Sequence, residues 1–241
     1  MEVVKKQDVR TRQRLLESAC EVFANKGYRD ATIADISELA GTNVAAVNYH
    51  FGDKETLYIE AWRLAFHKSL ETYPPDGGVL ANAPAEERFR GRVFAAMKRF
   101  AYSKNYEFEI MSKELATPTG LLAEVIRESI EPLRREFSLI IRELLGPRAS
   151  EQQVRLCRTS IMAQCTNIMI HERHRKLFAE AGIKADTPLD DFQIEIMADH
   201  TTRFSLAGLK EIRRQIEAGE LIDRDSTVAA ADSSKNSETR Y

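Results

Sequence analysis

Tyr49, His50 and Phe51 place three rings at adjacent positions, and Lys54 follows them after a Gly-Asp pair. Neighbouring residues on a helix point about 100° apart, so a helix packed on one face could not bury all three rings. An imidazole can hydrogen-bond to bases or phosphates, and an ammonium group favours a phosphate. We therefore expect Tyr49 and His50 to face outward, on a surface that docks on a nucleic acid.

The residues just before the rings are small and neutral, in the stretch "TNVAAVN" from 42 to 48. We expect Val44 and Val47 to face the interior, which leaves the asparagines and alanines on the outer surface of a third helix. Asparagine can hydrogen-bond to bases or phosphates, and alanine can contact a thymine methyl group. Lys54 adds its charge to the exposed backbone amides at the start of the next helix, and both favour a phosphate. The pattern predicts a helix that docks on double-stranded DNA.

The helix ahead of this segment follows from apolar spacing. Leu16, Ala19, Cys20 and Phe23 fall at i, i+3, i+4 and i+7, which is one apolar stripe. Gly27, in "NKG", is suited to the left-handed end of that helix.

A second, short helix is expected to begin after Thr32, with Asp35 as the acidic partner of a capping box. Its buried side is predicted to comprise Ile33, Ile36, Leu39 and Ala40. Gly41 ends it, and Thr42 or Asn43 caps the third helix. Two short helices joined by a turn that contains glycine are the helix-turn-helix pattern.

The composition of the 241 residues gives no global electrostatic signal, because 35 Lys and Arg side chains nearly balance 37 Asp and Glu. A nucleic acid must then be met by a local basic patch. Three cysteines are too few and too scattered for a disulfide framework, which suits a reducing compartment. The N-terminus has no apolar run typical of a signal peptide, and no segment approaches the roughly 18 apolar residues of a membrane span. We expect a cytoplasmic protein.

Enzyme classes with a recognisable motif are set aside, because the sequence has no GxSxG, P-loop, dinucleotide fingerprint or Cys/His pairing of recognisable spacing. We predict no enzymatic activity, no catalytic residue and no cofactor. His171 and His174 have the i, i+3 spacing to share a metal, but no further ligands are marked. A solvated or interface histidine pair is the preferred interpretation, and no metal site is predicted.

A looser stretch from 74 to 84, rich in proline and glycine, follows the first four helices. Further amphipathic helices are predicted at 85–103, 106–116, 119–145, 150–180 and 188–218. We therefore expect an all-α protein. Its predicted domains are a helix-turn-helix DNA-binding domain over 1–65, a helical ligand-binding and dimerisation domain over 66–222, and a disordered tail over 223–241.

The last two predicted helices carry apolar residues on more than one face. Two interpretations stay open: a central core helix, or a helix shared between its own core and a partner subunit. The candidate dimerisation residues are Ile161, Ile168, Phe204, Leu206 and Leu209. The middle of the chain is rich in aromatic residues and methionine, most of which must be core. Met97, Phe100 and Met111 are the candidates for lining a ligand pocket.

The stretch "ATIADISELAGTNVAAVNYHFGDKETLY" resembles the DNA-binding domain of the tetracycline-repressor (TetR) family of bacterial regulators. The resemblance covers about residues 10–65, including a basic start, the "YHF" triplet and the "DKE.L" helix start. It implies that Tyr49, His50 and Lys54 contact the DNA backbone and that Phe51 anchors the third helix in the core. That helix carries no Lys or Arg, so it lacks the arginine readout of guanine.

Three later segments, "ELATPTGLL", "MAQCTNIM" and "ADHTTRFSLAGL", resemble a CerR-type ligand domain of the same family. This resemblance implies a homodimer formed by the last two helices and a small-molecule pocket within each subunit.

The basic arm ahead of the helix-turn-helix contains Lys5, Lys6, Arg10, Arg12 and Arg14. A charge run is usually a solvated helix end, but ahead of a DNA-reading module we favour contact with phosphates or the minor groove. The candidate DNA-binding residues are thus Thr32, Thr42, Asn43, Ala45, Ala46, Asn48, Tyr49, His50, Lys54, Arg10 and Arg12.

These features together predict a ligand-responsive transcriptional regulator, a repressor, that binds a palindromic operator as a homodimer and is released by a small-molecule effector. The alternative is a helical ligand-carrying or protein-interaction protein that has lost operator binding. The intact helix-turn-helix argues against that alternative, and a gel-shift experiment with genomic fragments separates the two.

Overall fold

The computed structural model describes residues 2–102, 105–184 and 187–221, with side chains from residue 7 onward. Over these ranges it contains nine helices and no strand, which confirms the predicted all-α class. The helices are α1 (Glu2–Asp30), α2 (Ile33–Leu39), α3 (Val44–Phe51), α4 (Lys54–Thr72), α5 (Ala85–Ala101), α6 (Tyr106–Ala116), α7 (Ala123–Leu145), α8 (Glu151–Glu180) and α9 (Asp191–Ala218). The predicted tail, 223–241, lies outside the described residues.

Helix α1 is interrupted at Gly27, where the sequence predicted its end. Gly27 has φ 75° and ψ 175°, outside the helical region, and only the last few residues to Asp30 follow it. A side chain there would be strained, because L residues rarely adopt this φ. The β-carbon of Lys113 lies 3.5 Å from the position that a Cβ of residue 27 would occupy, so α6 also passes close by.

Contacts divide the chain into two compact units, one of residues 1–75 and 98–133 and the other of residues 76–97 and 134–241. The domain boundaries predicted from the sequence, between 65 and 66 and between 222 and 223, stay predictions.

In the first unit, α1, α4 and α6 pack around fully buried aromatic side chains. Trp62, Tyr58 and Phe23 are completely buried, and the rings of Phe23 and Tyr58 meet edge to face at 4.8 Å. Ile36 from α2 and Val47 from α3 belong to the same core. The two short helices are thus attached to a rigid base, which fixes the direction of their outer faces.

In the second unit, Phe89 stacks on Phe137 with 5.7 Å between ring centroids, and α8 packs against α9. Capping boxes start both long helices, from Ser150 with Gln153 and from Asp190 with Gln193. Each cap satisfies backbone amides that the helix itself leaves unpaired, so both helices have well-defined beginnings.

Candidate nucleic-acid interface

Helix α2 begins at the predicted capping box of Thr32 and Asp35. The Asp35 amide donates to Thr32 Oγ1 at 3.1 Å, and the Thr32 amide donates to Asp35 Oδ2 at 3.0 Å. Lys26 Nζ lies 2.9 Å from the other carboxylate oxygen. Hydrogen bonds from Lys26 and then from Thr32 lower the pKa of Asp35 to about 2. The hydroxyl of Thr32 is exposed but engaged in the cap, and its contact with DNA stays a prediction.

Gly41 and Asn43 form the turn into α3. Gly41 has φ 61°, a left-handed conformation that suits glycine. The Thr42 amide donates to the Ser37 carbonyl at 2.9 Å, and Asn43 Oδ1 accepts a hydrogen bond from the Ala46 amide at 2.9 Å. Asn43, and not Thr42, is therefore the cap of α3. Its amide NH2 group remains as the donor for a base or phosphate.

The two faces of α3 differ clearly in exposure. Val47 and Phe51 are 0% and 6% exposed and pack in the core of the first unit. On the opposite face Tyr49 is 74% exposed, and Ala45 and Asn48 are also exposed. The helix therefore presents a small, neutral patch and one phenol to a partner.

Two apolar residues that were predicted to face the interior lie on the surface. Val44 is 48% exposed and Leu39 is 50% exposed, so both predictions are wrong. Val44 is the first residue of α3, and side chains on a helix lean toward its N-terminus, which here is the turn and not the core. Ile36 of α2 and Ala40, the residue that caps its C-terminus, are buried, and Leu39 lies beside them on the surface.

Ala46 and His50 lie half-buried on the flank of α3. Ala46 packs against the core, so it is less available to a thymine methyl group than Ala45. The His50 ring meets the Tyr49 ring edge-on at 4.8 Å and lies 6.3 Å from the Phe51 ring. One edge of the imidazole can therefore reach a phosphate while the rest of the ring packs.

Lys54 is held at the N-terminus of α4. Asp53 caps this helix by accepting from the Thr56 amide at 2.7 Å. Lys54 Nζ lies 4.4 Å from the centroid of the Tyr28 ring, and burial lowers the pKa of the lysine. The ring positions the ammonium group beside the first turn of α4, where backbone amides favour an anion.

The basic arm is divided between exposed and engaged arginines. Arg10 is exposed, whereas Arg12 pairs with Glu60 and lies over the Phe51 ring, 4.9 Å from its centroid. Arg14, which the sequence placed in the same basic arm, is exposed, and its Nη1 atom lies 4.0 Å from the position of a Cβ on Gly41, beside the turn of the helix-turn-helix. The side chains of Lys5 and Lys6 lie outside the described part of the chain.

The candidate ligand residues lie in different settings. Met97 is 1% exposed in the core of the second unit. In the first unit, Phe100 packs edge-on against Phe108 at 4.8 Å, and Met111 is half-buried. Contact of these three residues with a ligand stays a prediction.

Three of the candidate dimerisation residues are buried within the single chain. Ile161, Ile168 and Leu209 are 4%, 0% and 3% exposed, because they pack against their own unit. Leu206 is half-buried, and Phe204 is 63% exposed. Of the five, Phe204 is the one that the fold leaves fully available to a partner subunit.

Among the described residues, no group of three or more His, Cys, Asp or Glu side chains is arranged to hold a metal ion. No described helix has both the length and the apolar character of a membrane span.

Two family models match the chain. The model of the tetR family of bacterial regulatory proteins matches residues 15–61, and that of the C-terminal domain of the HTH-type transcriptional dual regulator CecR matches residues 85–209. The C-terminal domain therefore resembles that of CecR, and the name CerR used in the sequence analysis is wrong. The first match covers the helix-turn-helix, and the second covers more than half of the chain.

Among curated proteins, the HTH-type transcriptional repressor AcnR of Corynebacterium glutamicum is 43% identical over 67 residues, 28% of this chain and 36% of AcnR. The chain therefore spans little more than a third of the length of this relative.

Among solved structures, a putative transcriptional regulator from Pseudomonas aeruginosa PAO1 has a TM-score of 0.65 at 15% identity, covering 85% of this chain and 93% of that one. AibR, solved with isovaleryl coenzyme A and operator DNA, has a TM-score of 0.56 at 18% identity, covering 80% and 97%. At these identities the likeness is one of fold.

Proposed function

The chain belongs to the TetR family of bacterial transcriptional regulators, and on that premise we propose that it is a ligand-responsive repressor. It binds a palindromic operator as a homodimer and leaves the operator when a small-molecule effector binds. In this role it acts in the cytoplasm, where its DNA target lies, and has no enzymatic activity.

The observation that carries the proposal is the outer face of α3. Asn48 can pair with adenine, and Val44 and Ala45 can contact thymine methyl groups. Each of these side chains is exposed, above the buried Val47 and Phe51. Because α3 has no Lys or Arg, we propose that the bases it reads are mainly A·T pairs.

Phosphate contacts surround this neutral patch. Tyr49 projects from the outer face, His50 offers one ring edge, and Lys54 sits beside the free amides of α4. The exposed Arg10 and the nearby Arg14 extend the cationic surface along α1. Such contacts position the protein on the duplex and leave sequence discrimination to α3.

Dimerisation is supported by regularly spaced exposed residues on the two longest helices of the second unit. On α8, Leu156, Ala163, Ile170 and Leu177 are exposed at intervals of seven. On α9, Phe192, Ile196, His200 and Phe204 are exposed at intervals of four. Each set forms one stripe along its helix, which suits packing against a symmetry mate in a four-helix bundle.

An effector can release the protein from DNA by changing the distance between the two reading helices of the dimer. Two reading helices must lie about 34–36 Å apart to enter successive major grooves. An effector that binds better to a dimer with another spacing shifts the population away from the DNA-bound form. AibR was solved with both isovaleryl coenzyme A and operator DNA, which supports one fold having both sites.

Selection of bound duplexes from a random pool tests this function. We expect inverted repeats with half-site centres separated by about one helical turn or a multiple of it. A selected duplex placed at a promoter should lower transcript levels when the protein is present. Failure to enrich any duplex, at low salt as well as physiological salt, would show that the operator-binding proposal is wrong.

A further inference from the structure

Glu114, near the end of α6, is a buried carboxylate held by the connection between α6 and α7. The residue is 9% exposed, and its Oε1 atom accepts from the backbone amides of Thr119 at 2.8 Å and Gly120 at 2.9 Å. The Thr119 hydroxyl lies 2.8 and 2.9 Å from the two carboxylate oxygens. Burying a carboxylate costs free energy unless its oxygens are hydrogen-bonded. The donors of this connection therefore fix the direction of the Glu114 carboxylate.

The other oxygen of the same carboxylate is bonded to α4. Tyr58, which is completely buried, donates its hydroxyl to Glu114 Oε2 at 3.1 Å. Burial and then the neighbouring carboxylate raise the pKa of Tyr58, so its hydroxyl stays protonated and remains a donor. A buried hydroxyl that lost this acceptor would be left unsatisfied, which is destabilising. Glu114 therefore holds the Tyr58 side chain in place.

Tyr58 packs in turn against the ring that holds Lys54. The ring centroids of Tyr58 and Tyr28 lie 5.0 Å apart, and Lys54 Nζ lies 4.4 Å from the Tyr28 centroid. Tyr28 directly follows the break in α1 at Gly27, so its ring direction depends on packing and not on a regular helix. Because protein interiors are close-packed, a shift of one ring displaces its neighbour. The position of Lys54 thus depends on Tyr58.

Two further contacts join the same parts of the chain. The β-carbon of Lys113 lies 3.5 Å from the position that a Cβ of Gly27 would occupy. Arg29 Nη2 lies 3.5 Å from the carbonyl oxygen of Pro118. The end of α6 and the connection after it therefore contact the residues on both sides of Tyr28.

We propose that Glu114 is a positioning residue for phosphate binding by Lys54. It acts through Tyr58 and Tyr28 and does not contact DNA itself. A lysine loses rotamer freedom when it binds a phosphate, and a lysine already held over a ring loses less. The effect on DNA rests on the proposed function, whereas the contacts that position Lys54 are present in the protein without DNA.

NMR of the full chain without DNA measures the position of Lys54. An aromatic ring shifts the signals of protons over its face upfield, so the ε-methylene protons of Lys54 report their contact with Tyr28. We expect Tyr58→Phe and Glu114→Gln each to reduce this ring-current shift, because each removes the hydrogen bond between α4 and α6. An unchanged shift in both variants would overturn the inference.

Tyr106→Phe is the matched control. It removes a hydroxyl from another tyrosine of the first unit, one whose hydroxyl bonds to Glu21. We expect this variant to retain the ring-current shift, and its loss there would overturn the inference as well. Tyr58→Phe keeps the ring and its core contacts, so the test stands even where Glu114→Gln is too unstable to measure.

The affinity for a selected duplex tests the functional consequence. Glu114→Gln and Tyr58→Phe should each weaken the complex about three- to tenfold, the effect of having to order one long side chain on binding. In a Lys54→Ala background neither should weaken it further, because the side chain that they position is absent. Tyr106→Phe should leave the affinity unchanged in both backgrounds. Equal losses with and without Lys54 would reveal a general structural effect and refute the positioning role.

The two measurements separate this inference from the proposed function. A protein that binds no duplex, but loses the ring-current shift in Tyr58→Phe and Glu114→Gln, would refute the regulator proposal and leave the positioning of Lys54 standing. A protein that binds a selected duplex with an affinity that neither substitution changes would refute the positioning role and leave the regulator proposal standing.

Discussion

At the scale of single residues, base reading and phosphate binding are assigned to different side chains. The exposed residues of α3 are neutral, whereas cations flank the helix, and two of them lie over rings: Lys54 over Tyr28 and Arg12, which also pairs with Glu60, over Phe51. A cation fixed by a ring loses less conformational entropy when it binds a phosphate than a free one does. We therefore expect the interface to gain affinity from the cations and Tyr49 at its rim and specificity from the neutral residues at the centre of α3.

Lys54 provides a test of the rim. Lys54→Ala should weaken binding to all duplexes about equally and reduce the slope of log affinity against log salt by about one unit. Tyr49→Phe, which removes one hydroxyl, should also weaken all duplexes alike. Lys210→Ala, which removes one charge from the exposed surface of the second unit, is the control and should keep the salt slope. A changed operator preference with unchanged affinity in either variant would contradict the assignment.

Asn48 provides a test of the centre. Asn48→Ala should relax the preference at one operator position in each half-site, at a cost of about 1–3 kcal/mol for the preferred base. Asn25→Ala, an exposed asparagine at the end of α1, should leave every preference unchanged. The measurement is the affinity for all single-base variants of the selected operator. Preferences that survive both Asn48→Ala and Asn43→Ala would contradict base reading by these residues.

At the scale of helices, the sequence predicted what depends on local chemistry. Apolar spacing located the C-terminal helices to within a few residues, and the Thr32 cap and the Gly27 and Gly41 breaks follow from side-chain and backbone preferences. The predicted burial of Val44 and Leu39 was wrong, because the exposure of a residue at the end of a short helix depends on which neighbouring elements pack against it. Packing between helices distant in sequence also decided that Lys54 lies on Tyr28, which no local pattern indicated.

The start of α2 supports a stability prediction. Thr32→Ala removes the hydroxyl that accepts from the Asp35 amide, and we expect the free energy of unfolding to fall by about 1 kcal/mol. Thr32→Ser keeps the acceptor and should lose only a small part of this. Chemical denaturation of the three proteins checks it. Equal losses for alanine and serine would show that the methyl group, and not the cap, is what matters.

Asp35 gives this cap a pH dependence. Its pKa is lowered from 3.8 to about 2, so its ionised form stabilises the fold; this contribution is present above pH 4 and is lost as the pH falls through 2. Comparison with Asp35→Asn cancels the titration of other carboxyl groups. The difference in unfolding free energy between the two proteins should be constant near neutral pH and narrow between pH 4 and 2. A difference that stays constant down to pH 2 would contradict the assigned ion pair with Lys26.

At the scale of the whole molecule, we expect operator binding to depend on the exposed stripes of α8 and α9. A single α3 without arginine offers few strong base contacts, so two half-sites must bind as one unit to give useful affinity. The sequence alone could not tell which apolar residues serve the chain's own core and which serve a partner. Burial separates them: Ile161, Ile168 and Leu209 pack internally, whereas Phe192, Ile196 and Phe204 remain 71%, 53% and 63% exposed.

Phe204→Arg is therefore the sharpest test of assembly. We expect the wild-type protein to sediment as a dimer of twice the 27.4 kDa chain mass without DNA or ligand. A charge at Phe204 would be buried between subunits without a partner, so this variant should sediment as a folded monomer and lose operator binding. Leu115→Arg, at a 76% exposed leucine of α6, is the control and should remain dimeric. Leu209→Arg is less informative, because that side chain is buried in the chain's own core and the variant should unfold. A wild-type monomer at low micromolar concentration would refute the dimer and, with it, the palindromic operator.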